Sequence, residues 1–141
     1  MRMATGPRYR VTLAPMHRSR LTAVLVDVPD SAFEAETGFW SGALAAPAQR
    51  DPEDPDYSEL GQVVPGLTFL VQRVGAEPRL HLDIETDDVE AEVIRLEALG
   101  AERVRSVRTW WVMRDPAGLL FCVVRVQNRA AFERGATTWE P

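Results

Sequence analysis

Hydrophobic and polar positions along the chain form one pattern of strand-like and helix-like segments, and that pattern occurs twice. From Leu21 the chain reads LTAVLVDV, an almost continuous apolar run closed by Pro29-Asp30. This predicts a central strand covered on both faces. Asp30 or Ser31 is placed to cap a helix whose apolar contacts are Phe33, Phe39, Trp40 and Leu44, and Pro47 forbids its continuation. Asp51-Pro-Glu-Asp-Pro-Asp56 predicts a loop, since two prolines and four acids leave nothing to bury. Ser58–Val64 and Leu67–Val74 predict two extended runs joined by a Pro65-Gly66 turn.

After Gly75-Ala-Glu-Pro78 the pattern restarts. Arg79–Thr86 (RLHLDIET) alternates with period two and predicts a strand. Asp87 or Asp88 caps a helix with Val89, Val93, Leu96 and Leu99 on one stripe and Glu90, Glu92, Arg95 and Glu97 outside it; Gly100 stops it. Short strands are expected near Glu102–Val107, Thr109–Met113 and Leu119–Val126, the last two joined by a type I turn at Asp115-Pro-Ala-Gly118. Strand–helix–strand–strand–strand therefore occurs twice, about 55 residues apart. The strand-to-helix corners match, Val-Asp-Val-Pro-Asp30 against Asp-Ile-Glu-Thr-Asp87, and so do the helix ends, Ala43-Leu44-Ala45 against Ala98-Leu99-Gly100.

The ends carry weaker signals. Arg8–Leu13 alternates enough for a short strand, Pro15 ends it, and residues 1–20 are read as an N-terminal arm with His17 exposed among Arg18 and Arg20. Composition adds exclusions more than assignments. With 141 residues, 45% hydrophobic and 26% charged, the chain has the balance of one globular domain. A net charge of −5 argues against nucleic-acid binding, and the arginines near the start, Arg2, Arg8, Arg10, Arg18 and Arg20, read as solvated surface. No apolar run approaches the ~18 residues of a membrane span. The opening MRMATGPRYR lacks the apolar stretch of a secretory signal, and a single cysteine makes no internal disulfide, so a cytoplasmic location is expected.

Leu-His-Leu-Asp-Ile-Glu-Thr-Asp-Asp88, Leu-Glu-Ala-Leu-Gly-Ala101 and Trp-Val-Met-Arg-Asp-Pro-Ala-Gly-Leu-Leu-Phe-Cys-Val-Val124 resemble the vicinal oxygen chelate superfamily. The resemblance is to its glyoxalase-like branch, with the bleomycin resistance proteins and dioxygenases, and covers roughly residues 20–127. It implies an α+β fold of two βαβββ modules, 21–75 and 78–127, forming a curled mixed sheet around a small-molecule cup, with 128–141 as a C-terminal tail. It further implies a cup that holds a divalent metal or an organic ligand, and chains that pair as homodimers, a common way of covering edge strands.

Alternation then assigns side chains to the cup. In RLHLDIET, Leu80, Leu82 and Ile84 share the face that packs on the helix, while Arg79, His81, Asp83 and Glu85 share the other. The same parity turns Thr68, Leu70 and Gln72 inward, and Leu120, Cys122 and Val124 on the last strand. His81 suits a metal ligand, a general base or a hydrogen-bond donor, against the plainer reading of a buried histidine satisfied by Asp83 or a strand carbonyl. Cys122, between Phe121 and Val123, has the apolar setting of an inert core thiol. The Asp83–Glu85 pair reads as a solvated edge unless it works as acid and base. Trp110 and Trp111 are adjacent on a strand, so one lines the cup and the other lies under the helices; Trp40 is a further aromatic candidate at a helix end. The resemblance places metal ligands at the first and last strands of each module. Those positions fall on His81 and Cys122 in module two, and on Ala23 or Val24 and Leu70 in module one. That set is incomplete for a divalent metal, unless Gln72, Asp83 or Glu85 substitutes.

There is no phosphate-cradling glycine loop and no Gly-x-Ser-x-Gly elbow. Three readings of function stay open at this point. In the first, the cup binds or sequesters a small organic molecule in the bleomycin-resistance manner, without a catalytic metal. It would be held by a tryptophan and by His81, Gln72 and Asp83. In the second, the protein is a metal-dependent lyase, isomerase or dioxygenase with His81 as ligand. In the third, it is an interaction module whose cup is filled by its own side chains, including the C-terminal tail through Trp139.

Overall fold

The computed structural model describes residues 13–75 and 77–141. Of the strand expected over 8–13, all but Leu13 lies outside them, as do Arg2, Arg8 and Arg10. The first module comprises β1 (His17–Val28), α1 (Phe33–Ala43), β2 (Gln49–Arg50), β3 (Tyr57–Glu59) and β4 (Thr68–Arg73). The second comprises β5 (Arg79–Thr86), α2 (Val89–Ala98), β6 (Glu102–Val107), β7 (Trp110–Arg114) and β8 (Leu120–Arg125), followed by α3 (Arg129–Gly135) and β9 (Thr137–Trp139). The chain is thus α+β. Among the described residues three helices lie on a mixed, curled, unclosed sheet of nine strands in the order β2-β3-β4-β1-β5-β8-β7-β6, with β9 on β1.

The topology makes the repeat visible. Each module pairs its first and last strands in parallel, β1 with β4 and β5 with β8, and the modules meet through the antiparallel pair β1–β5. β1 is longer than the apolar run suggests. His17–Ser19 extend it and pair with Trp139–Thr137 of β9, so residues 17–20 belong to the sheet. Among the described residues, no helix is long and apolar enough to cross a membrane.

The corners follow local chemistry, with one correction. Asp88 is the N-cap of α2 and accepts from the Ala91 amide, whereas the first module turns through a 3-10 segment, Asp30–Ala32, with no side-chain cap. Gly100 at φ 104° ends α2 in the left-handed conformation that favours glycine. The helices cover the outer face in two clusters. Val26, Val28, Phe33 and Val71 pack with Trp40 and Phe69 over module one; Val93, Leu96, Met113 and Val123 pack with Ile84, Trp111 and Phe121 over module two.

Helical cover is narrower than alternation predicts. Ile84 lies beneath α2, but Leu80 and Leu82 are 54% and 38% exposed, and Leu99, expected on the buried stripe, is 67% exposed. The stripe is instead completed by Ala91 and Glu92. Glu92, expected on the outside, is fully buried. It accepts from His17 Nε2 at 2.6 Å, from Ser19 Oγ at 2.9 Å and from Arg95 at 2.7 and 2.8 Å. His17, expected to be exposed, is therefore buried against α2. Trp139 closes the same network: its Nε1 donates to Ser19 Oγ at 2.8 Å, and the Arg95 guanidinium lies 3.8 Å from its ring centroid. The tail accordingly seals the outer layer and does not plug the cup.

Burial alone would raise the Glu92 carboxyl pKa, but hydrogen bonds from Arg95, His17 and Ser19 outweigh it and hold the value below the ordinary 4.5. Its stabilisation is therefore present above pH 4.5 and lost as the pH falls through the lower folded value. Glu92→Ala leaves His17 and Arg95 without their shared partner and should cost about 3 kcal/mol in urea unfolding at pH 7. A loss below about 1 kcal/mol would show the network to be incidental.

Candidate functional site

The inner face of the sheet encloses a cup of about 890 Å³, within the range of small-molecule sites. Its floor follows from strand register. Gln72, Asp27 and Arg79 lie side by side across β4, β1 and β5; the next row is Leu70, Leu25 and His81; the next is Thr68, Ala23, Asp83 and, on β8, Cys122. Leu70, Leu25 and Ala23 thus lie beside His81 and Asp83 of β5. Trp110 and Val112 contribute to the module-two wall, and Tyr57 stands on the module-one side.

His81 is the centre of the polar group. It is buried, with Nδ1 2.7 Å from Asp27 Oδ2 and Nε2 3.4 Å from Asp83 Oδ1. The short Asp27 contact makes Nδ1 the donor and fixes the ring. Arg79 Nε donates to the same Asp27 oxygen at 3.3 Å. Asp27 is 1% exposed, and its other oxygen is buried without a hydrogen-bond partner. Burial alone would lower the His81 pKa, but hydrogen bonds to Asp27, Asp83 and Cys122 overcome it and push the value up to about 11. In the absence of another cation the ring is an imidazolium at neutral pH. Tyr57 Oη accepts from Gln72 Nε2 at 2.8 Å, and burial, followed by the field of Asp54, Asp83 and Asp27, pushes its phenol up to about 12. It remains a neutral hydroxyl at neutral pH.

The expected site residues separate into two groups. His81, Asp83, Gln72, Cys122 and Trp110 line the cup. Trp111 lies on the outer face within the α2 cluster, under the Arg103 guanidinium at 4.9 Å. Trp40 is also outside, 5.6 Å from the Phe69 ring and donating to Glu36, so it does not line the cup. Glu85 is no solvated edge: it is fully buried, accepts from Arg20 Nε at 2.6 Å and binds the amides of Gln127 and Asn128. Alternation missed Asp27, although a lone carboxylate inside LTAVLVDV on the parity of Ala23 and Leu25 was a signal.

The chain matches the glyoxalase-like domain over residues 23–124. It belongs to that family. Solved structures agree at the level of fold. The Mn(II)-bound glyoxalase from Novosphingobium aromaticivorans is 19% identical with TM-score 0.52, over 81% of this chain and 44% of that one. Methylmalonyl-CoA epimerase from Mycobacterium tuberculosis is 18% identical with TM-score 0.50, over 79% and 90%. A structure described as an NAD-dependent benzaldehyde dehydrogenase from Legionella pneumophila is 12% identical with TM-score 0.57, over 74% and 98%. No curated protein sequence matches the chain.

The metal arrangement implied by the superfamily, with ligands from both modules, does not fit this glyoxalase-like domain. Its module-one positions are Ala23 and Leu70, which line the cup but carry no donor. Asp27, two pleat repeats beyond Ala23 on β1, is already committed to His81 and Arg79.

The imidazolium reading has a pH signature. A folded pKa of about 11 against an ordinary 6.5 means the charge supports the fold fully below about 6.5, and this support disappears as the pH rises towards 11. NMR of the metal-free protein should find His81 still protonated at pH 8, and Asp27→Asn should lower its pKa by about 1–3 units. A ring that titrates near 6.5 in the native protein would overturn this.

Proposed function

We propose that the cup binds a small organic molecule, in the manner of a sequestering or carrier protein, with the Asp27–Arg79–His81–Asp83 group as its polar anchor. The observation that carries this reading is the juxtaposition of that charged group with an apolar floor of Ala23, Leu25 and Leu70 in one cup of about 890 Å³. Convergent polar groups give orientation, while the apolar floor beside them gives affinity. Trp110 supplies a ring for a flat ligand. The charge on the walls narrows the class. Arg105, Arg108 and Arg125 line the module-two side and have no carboxylate partner among the described residues. Asp51, Asp54 and Glu59 line the module-one side. An aromatic or aliphatic carboxylate, acid group towards module two, suits this asymmetry.

A second reading, metal-dependent lyase, isomerase or dioxygenase chemistry with His81 as ligand, is favoured by one observation: Asp83 and Cys122 stand beside its ring. A homodimer accompanies either reading. Leu80, Leu82 and Leu119, at 54%, 38% and 51% exposure, form an apolar strip on the outer face between the helices that a second copy would cover.

A thermal-shift screen with a panel of small carboxylates is expected to find members that raise the melting temperature. Arg79→Ala and Trp110→Ala should each weaken such a ligand roughly tenfold or more in calorimetry. Affinities that ignore both changes would sink the reading. In sedimentation, the native chain should run as a dimer and Leu82→Glu as a monomer; a monomeric native chain would remove the dimer.

A further inference from the structure

We infer that the row Gln72–Asp27–Arg79 recognises an α-amino acid head, with the ammonium on Gln72 and Asp27, the carboxylate on Arg79 and an apolar side chain on Leu25 and Leu70. The inference rests on the cup reading and deepens it: it adds an amine to the carboxylate proposed above and fixes where both sit.

Three observations carry it. Register sets Tyr57, Gln72, Asp27 and Arg79 side by side across β3, β4, β1 and β5, and all four line the cup. On this row the unused acceptors lie together. Asp27, 1% exposed, keeps Oδ1 without a hydrogen-bond partner. Beside it, Gln72 donates to Tyr57 through Nε2, while its Oε1 accepts from nothing among the described residues. A buried carboxylate oxygen without a donor costs free energy, and an N–H of a bound ammonium removes that cost. The unused donors stand on the next strand. Arg79 gives only Nε to Asp27, at 3.3 Å, so among the described residues its two terminal nitrogens have no partner and present a fork for a carboxylate.

Spacing and field agree with this placement. Neighbouring strands lie about 4.8 Å apart, a gap that an ammonium and a carboxylate on one carbon bridge. The next row, about 7 Å further along the strands, is Leu70 and Leu25, and the one after it is Thr68 and Ala23. The side chain of leucine or phenylalanine covers the first of these, where a polar group of the same length would be buried against leucines. On the ammonium side the potential is negative. Burial, and after it the fields of Asp54, Asp83 and Asp27, push the Tyr57 phenol up to about 12. Arg105, Arg108 and Arg125 give the module-two side the opposite sign, so a ligand with two charged ends is oriented before it docks.

The test is calorimetry on the full chain with probes that share a skeleton. L-phenylalanine is compared with 3-phenylpropanoate, 2-phenylethylamine and N-acetyl-L-phenylalanine, and L-leucine with 4-methylpentanoate and 3-methylbutylamine. Each amino acid should bind at least tenfold tighter than the acid or the amine alone, and acetylation should remove the advantage. Asp27→Asn should weaken phenylalanine at least tenfold without weakening 3-phenylpropanoate, whereas Arg79→Ala should weaken both alike. Circular dichroism checks that each variant is folded, and Gln72→Leu, which leaves the Asp27–His81 contact in place, is the informative one if Asp27→Asn unfolds. It should weaken phenylalanine about tenfold and spare the acid. An acid or an amine that binds as tightly as its amino acid overturns the inference, as does an advantage that survives both Asp27→Asn and Gln72→Leu. Small carboxylates that bind while both amino acids fail overturn it and leave the cup reading standing. Silence from every carboxylate and both amino acids removes the two together.

Discussion

The antiparallel pair β1–β5 is the contact on which everything else in this molecule depends. Among the described residues it is the only ladder that joins the main strands of the two modules, and its register sets Ala23 opposite Asp83, Leu25 opposite His81 and Asp27 opposite Arg79. Because side chains alternate strictly across a strand, a one-residue slip would turn His81 and Asp83 onto the outer face and bring Leu80 and Leu82 inside. Register here is pinned from both sides. The inner face is held by Asp27 bridging His81 and Arg79, and the outer face by Val26, Val28 and Ile84 in the helix-covered clusters.

The same pair explains how a small sheet tolerates so much buried charge. Glu85 sits at one end of β5 and Glu92 on the helix beyond it, both fully buried. Each is surrounded by donors: Arg20 and two amides for Glu85, His17, Ser19 and Arg95 for Glu92. Desolvating a carboxylate is tolerable only with such compensation. Both networks also tie β1 to module two through residues before Leu21, which is why the strand runs back to His17. Asp27 and Asp83 differ in kind. Asp27 keeps one buried oxygen with no hydrogen-bond partner, and Asp83 Oδ1 is met only by the His81 ring at 3.4 Å. Two further buried polar atoms among the described residues lack a hydrogen-bond partner, Thr37 Oγ1 and Arg73 Nε, and neither lines the cup.

The two modules have diverged in chemistry while keeping one topology. Module one supplies a floor of Ala23, Leu25 and Leu70, and module two supplies the imidazole, carboxylate and thiol. One cup thus has an apolar half beside a charged half.

Much of the fold was legible because it is written in local periodicities. Period-two alternation in RLHLDIET, the apolar run LTAVLVDV, the Asp88 cap and the Gly100 stop are properties of short segments, and so is the repeat they compose. Strand parity likewise brought His81, Asp83, Gln72 and Cys122 to one side, since alternation requires no knowledge of neighbours. What stayed hidden depends on partners distant in the chain. His17 and Glu92, 75 residues apart, read as surface because each is polar, and only their meeting makes burial tolerable. Asp27 read as the end of a strand until β5 placed His81 54 residues later beside it. Which of Trp110 and Trp111 enters the cup was likewise decided by the curl of the sheet. Sequence determines which face each side chain takes; tertiary structure decides what that face meets, because the energy of a buried charge is set by its partners and not by its own strand.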